Sequence, residues 1–139
     1  MKKNILSIVF GLLVSFVLIL IGDIISQLIY HRPAGFDEKN TAAVKIYVEN
    51  APSIVFIILI ISYALGSILG GLVSSVIAPH NKMTKSITVG GILMGLGAYN
   101  LFMIPHPLWT IVISFFVLIP CSYLGGYLGM KISAKKTRN

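Results

Sequence analysis

The chain has 139 residues, 56% of them hydrophobic and 11% charged, with a mean hydropathy of +0.91 and a formal net charge of +7. A soluble domain carries about a quarter charged residues, so the composition excludes an ordinary soluble fold and leaves no room for a soluble catalytic module. The basic excess would suggest nucleic acid in a soluble protein; beside a bilayer it is the attraction of one flank to anionic headgroups, and no nucleic-acid binding is expected.

Four apolar runs follow one another, and a spanning helix needs roughly 20 such residues at about 1.5 Å each. The spacing predicts helices over 5–30, 52–78, 84–104 and 108–132, with an outer loop at 31–51. The opening "MKKNILSIVFGLLVSF" has the basic tip of a secretory signal. Its apolar run passes the length of a signal core without an Ala-x-Ala site, so it reads as a retained first helix.

Within that helix, the stretch "LIGDIISQLIYHR" places Asp23 among residues suited to lipid. Asp23 lies seven residues before Tyr30, roughly 10 Å inside the outer end. Ser26, Gln27 and Tyr30 follow at i+3, i+4 and i+7, on one face with it. Gly22 and Ser26 turn that face toward another helix. An ionised carboxylate facing lipid costs at least a few kcal/mol, so it must be paired, hydrated or protonated. The available partners are His31, Arg32, His106 or water.

The outer loop has turn chemistry in Pro33, Gly35 and Asp37. Its second part, "TAAVKIYVEN", brings Val44, Val48 and Ala51 to one face and pairs Lys45 with Glu49 at i, i+4. A short interfacial helix is expected there, capped by Asn40 or Thr41. Pro52 suits the first turn of the second long helix. In the third helix, Tyr99 and Asn100 stand at a depth similar to Asp23. A tight turn, "IPHPLW", leads to Trp109 as an interfacial anchor, and Pro120 should kink the fourth helix. Cys121 is alone, so no internal disulfide forms.

Four spans put Lys2, Lys3, Lys82, Lys85, Lys131, Lys135, Lys136 and Arg138 on one side and Arg32, Lys39 and Lys45 on the other. By the positive-inside rule both termini are then cytoplasmic, in a plasma (inner) membrane. The expected fold class is an all-α integral membrane protein, residues 1–139 forming a single four-helix transmembrane domain. "LGSILG" (65–70) and "LGGYLG" (124–129) echo each other in helices running the same way. The echo fits two helical hairpins repeated in parallel about an axis along the membrane normal, or convergent packing.

Small residues recur at four-residue spacing in every helix: Ser62, Gly66, Gly70, Ser74 and Ala78; Gly91 and Gly95; Cys121, Gly125, Gly129 and Ser133; and Ser7, Gly11 and Ser15. Helices in lipid associate by close backbone approach over such residues. Gly66, Gly70, Gly91, Gly95, Gly125 and Gly129 are therefore the expected packing positions, within one monomer or between copies.

Several chemistries are excluded. Haem ligation needs histidines within the helices, and His31, His80 and His106 fall in loops or at ends. No three or four ligands converge for a metal, no helix carries a lysine for a Schiff base, and no nucleophile–base pair is in reach. "TVGG" at 88–91 lacks the pore-loop setting of a potassium filter. Neither a cofactor nor an enzymatic activity is expected. The plan resembles the small multidrug resistance transporters in size: four short helices and one acid in the first. It departs from them in placing Asp23 near the outer end, in a twenty-one-residue outer loop, and in having no matching motif around the carboxylate.

The expected function is a small transport or permeation protein. Asp23 would bind a proton or cation in an outward-open polar cavity, with Ser26, Gln27, Tyr30, Tyr99 and Asn100 along the path. Ser114 lies at the same depth, and Ser62, Tyr63, Ser122 and Tyr123 nearer the midplane. Four helices rarely enclose a path alone, so a homodimer is implied. The alternative is an accessory or assembly subunit whose glycine faces dock onto a larger membrane partner.

Overall fold

The structure is a computed structural model and describes residues 2–37, 39–103 and 107–137. Over these residues it is helical, in the order α1 (Lys2–Ile29), α2 (Thr41–Glu49), α3 (Ser53–Ile77), α4 (Lys82–Met103) and α5 (Leu108–Thr137). Four long helices and the short one follow the hydropathy pattern. The chief difference in bounds is at the end of α5, which continues past residue 132. Pro120 lies inside α5 without ending it, and Pro52 is the N-cap of α3 rather than part of its first turn.

Helices α1, α3 and α5 are long and apolar enough to cross a membrane, with mean hydropathies of 2.9, 2.4 and 1.9. Membrane insertion follows from these three. Helix α4 opens with Lys82 and Lys85 and carries four glycines and Asn100.

Burial is inverted relative to a soluble protein, where large apolar side chains fill the core. Ser7, Ser15, Ser67, Ser74, Ser75, Ser86 and Ser122 are fully buried, while Leu13, Val17, Ile24 and Leu28 along α1 are more than half exposed. Lipid offers no reason to hide a leucine, and small residues let backbones close.

Helix α3 touches all three other long helices, whereas among the described residues the backbones of α1 and α5 do not come together. Along α1 and α3 the pairs Ser26–Val55, Gly22–Ser62 and Ser15–Gly66 run in opposite order, so the two are antiparallel. Ser67–Leu118, Gly71–Ser122 and Ser75–Gly129 make α3 and α5 parallel. Lys82–Ser133, Ser86–Ser122 and Gly90–Leu118 make α4 antiparallel to α5. The start of α1, end of α3, start of α4 and end of α5 thus share one end of the bundle. Lys3, Lys82, Lys85, Lys131 and Lys135 gather there, opposite α2.

Serine hydroxyls join the helices to one another's carbonyls. Ser15 Oγ donates to Gly66 O at 2.9 Å and Ser67 Oγ to Leu118 O at 2.5 Å. Ser86 Oγ reaches Ser122 O at 2.5 Å, and the Ser122 hydroxyl returns the bond to Ser86 O. Such interhelical bonds contribute typically near 1 kcal/mol each in lipid.

The expected packing glycines divide. Gly66 lies over Ser15 O and Gly70 over Gly11 O, both on α1; Gly125 lies over Ile68 O and Gly129 over Leu72 O, both on α3. Gly91 and Gly95 meet nothing within 4 Å. In α4 the packing position is Gly90, where a Cβ would lie 2.7 Å from Ser122 Cβ, and α5 answers with Gly126, 2.7 Å from Ser86 Cβ. Adjacent glycines sit about 100° apart around a helix, so within the monomer Gly90 meets α5 while Gly91, on the four-residue stripe, faces outward. The echoed segments also differ in environment. "LGSILG" packs its glycines on the antiparallel neighbour α1, whereas "LGGYLG" packs Gly125 and Gly129 on the parallel neighbour α3 and Gly126 on α4, so their likeness does not correspond to equivalent packing in two hairpins.

At the other end, Asn40 Oδ1 caps α2 by accepting from Ala42 N and Ala43 N at 3.1 and 3.3 Å. Val44 is buried and Lys45 stands 3.9 Å from Glu49, both exposed. Gly35 takes φ +79, the left-handed conformation that its turn needs and that glycine adopts without strain. Tyr47 ties α2 to α1: its hydroxyl donates to Tyr30 O at 2.7 Å, its ring lies 4.7 Å from Tyr30's and 5.0 Å from Phe36's. Burial raises the Tyr47 pKa above its ordinary value, against the lowering influence of Arg32, so the hydroxyl remains a donor at neutral pH. Removing it in Y47F withdraws a bond of about 1 kcal/mol. Amide exchange within α2 should rise about fivefold while that of α3 is unchanged.

Candidate functional site

The bundle is pinched where glycine meets backbone and opens where it does not. Gly11, Gly70, Gly71, Gly90, Gly125, Gly126 and Gly129 make their close contacts in the half away from α2. Toward α2, the nearest atom to a Cβ on Gly97 is Leu118 Cδ1 at 3.9 Å. All four long helices part there around a cavity of about 110 Å³.

Its floor is the apolar cluster Val89, Leu93 and Leu118, against which Ile19, Tyr63 and Met94 pack. Phe16, Ile19, Leu59, Leu96 and Phe115 contribute apolar wall. Tyr63, Asn100, Thr110 and Ser114 supply the polar groups. The cavity is therefore largely apolar, not the polar one expected, and Asp23 is not part of its wall.

Asp23 stands one turn beyond Ile19, about 6 Å further along the axis. It is half-buried, and its Oδ2 accepts from Gln27 Nε2 at 2.8 Å. Tyr63 is within electrostatic reach. No ion pair holds the carboxylate among the described residues; its neighbour is an amide. Gln27 in turn lines a shallow groove with Ile24, Leu28, His31 and Arg32. Phe16, Ile19, Asp23, Gln27 and His31 advance by three or four residues each, so one face of α1 leads from cavity to acid to groove.

The other expected path residues are spent elsewhere. Ser26 is buried and directed at Val55 O, 3.4 Å away, where it holds α1 to α3. Tyr30 is occupied by Tyr47. Tyr99 is 64% exposed and does not line the cavity, whereas Asn100, its neighbour, does. Ser62 bonds back to Ile58 O, Ser122 is taken by Ser86, and Tyr123 is half exposed. His106 lies outside the described residues. Trp109, the expected anchor, packs edge-on to Phe56 at 6.0 Å. Thr110 escaped the sequence reading; its signal was the i, i+4 relation to Ser114 on α5, which puts both hydroxyls on one face.

No family model, curated protein or solved structure matches this chain.

Proposed function

We propose that the chain is a small integral membrane transport or permeation protein in which Asp23 exchanges a proton or cation beside a solute cavity. The observation that carries this reading is the face of α1 just described. Among the described residues the one half-buried acid, Asp23, stands between an internal cavity and a groove at the α2 end. A residue serving as glue needs no charge, and Ser26, one turn away, already does that work with a neutral hydroxyl. Gln27 steadies the carboxylate without neutralising it, leaving it free to take up and release a proton.

In this reading all four long helices span the bilayer, α4 screened by its three neighbours. The lysine-rich end is cytoplasmic, as positive charge is retained inside, and α2 lies on the outer surface. A second copy completes the path.

The test is proton flux into proteoliposomes holding a trapped pH-sensitive dye, driven by an imposed potential. D23N keeps the oxygen that accepts from Gln27 but cannot ionise, and flux should fall at least about tenfold. Wild-type flux equal to that of empty liposomes, or undiminished flux in D23N, would reject the role.

A second reading rests on Gly91 and Gly95, which open onto nothing in the monomer. Here the chain is an accessory subunit and this face of α4 meets a larger membrane partner. Native mass spectrometry after gentle extraction separates the two, a homo-oligomer favouring transport and a stoichiometric foreign subunit favouring assembly.

A further inference from the structure

The cavity has one feature that neither proton exchange nor helix packing uses. Thr110 is 2% exposed, lines the cavity, and its Oγ1 has no hydrogen-bond partner among the described residues. A buried hydroxyl left unpaired costs about 1–3 kcal/mol, so the site is complete only when something inside it bonds to Thr110. Ser114, 7% exposed, lies one turn along the same helix on the same cavity wall, and Tyr63 faces the space from α3. Apart from Asn100, the remaining described wall is aliphatic and aromatic, with Phe16 and Phe115 among it.

We propose that the cavity binds a neutral, ring-sized apolar molecule bearing one hydroxyl, of the phenol class, with that hydroxyl seated on Thr110 and Ser114. Size, charge and polarity each narrow the choice. A dry cavity of about 150 Å³ takes benzene, and this one of about 110 Å³ is open enough for a ring to reach past its rim. Among the described residues no charged side chain lines it, so an ionised amine or carboxylate would be desolvated without compensation there. A bare hydrocarbon, including the end of a lipid tail, leaves Thr110 unpaired. A hydroxyl donates and accepts, as does each of the hydroxyls that meet it. Binding of this kind holds whether or not the occupant is carried across; only its movement depends on the transport reading.

The full chain in lipid nanodiscs, with empty nanodiscs subtracted, is titrated with 4-fluorophenol, fluorobenzene and 4-fluorobenzylamine and followed by fluorine NMR. Saturable binding of the phenol, about tenfold tighter than fluorobenzene, is the expected result, with no saturable binding of the amine. T110V, nearly the same shape, should bring the phenol down to the hydrocarbon's affinity and leave the hydrocarbon unchanged. T110S keeps the hydroxyl and should keep the preference, which guards against a folding defect. Equal binding of phenol and hydrocarbon, an unaltered phenol affinity in T110V, or no saturable binding, as when water or a lipid tail fills the space, would each overturn the assignment. Proton flux is measured without phenol, so failure here and failure of the Asp23 reading are told apart.

Discussion

Gly125→Ala should loosen the α3–α5 contact more than any other single methyl group. A Cβ at this position collides with the Ile68 carbonyl oxygen and comes within 2.9 Å of Ile68 C and Leu72 N. These are backbone atoms of a neighbouring helix and cannot rotate away, so the helices must separate. Separation lengthens the bond from Ser67 to Leu118 O, which depends on that distance. Overpacking of this kind costs up to about 3 kcal/mol. Gly91→Ala adds the same methyl group into open space and gains helix propensity, about 0.5–1 kcal/mol in the stabilising direction. Thermal unfolding in detergent should show the two alanines moving stability in opposite directions. Equal effects would mean that the glycines are exchangeable and the close approach unimportant.

Val17→Arg should prevent most of the chain from entering the membrane. Val17 is 55% exposed near the middle of α1. On a water-facing surface the change would fall within about 0.5 kcal/mol. At the centre of a spanning helix the same arginine costs about 3 kcal/mol, roughly a hundredfold in the insertion equilibrium. Leu28→Arg, at a position 66% exposed but near the helix end, is the control, because its guanidinium can reach the headgroups. Protease protection of newly made chain in membrane vesicles reads the outcome. Equal integration of V17R, L28R and wild type would show that this face of α1 is not against lipid.

Long helices and their order were legible because lipid imposes length and hydropathy directly. Asn40 as a cap, the Lys45–Glu49 pair and the turn at Gly35 were legible because each is a local interaction whose partners lie within four residues. The site was only partly so. Asp23 announced itself by charge, but which of its neighbours face a cavity depends on how far helices are held apart, a distance set by contacts such as Gly125–Ile68 and Gly11–Gly70, far apart in sequence. Ser26 and Tyr30 share a helix face with Asp23, yet α3 and α2 claimed them. Gly90 and Gly91 are indistinguishable as a pattern, and only α5 decides between them. Thr110 and Asn100 matter, rather than Tyr99, because α4 and α5 diverge toward α2, and no spacing rule encodes divergence.

The central position of α3 also bears on how the protein is made. Emerging from the ribosome, α1 and α3 can zip together at once through Ser15, Gly22 and Gly66, a finished hairpin needing nothing downstream. The opposite flank of α3, with Ser67, Gly71 and Ser75, must wait beside lipid until the last helix arrives. Biogenesis thus runs through an intermediate in which Ser67 lacks its Leu118 acceptor until α5 is in place, and a chaperone or insertase that shields that flank meanwhile would act on α3.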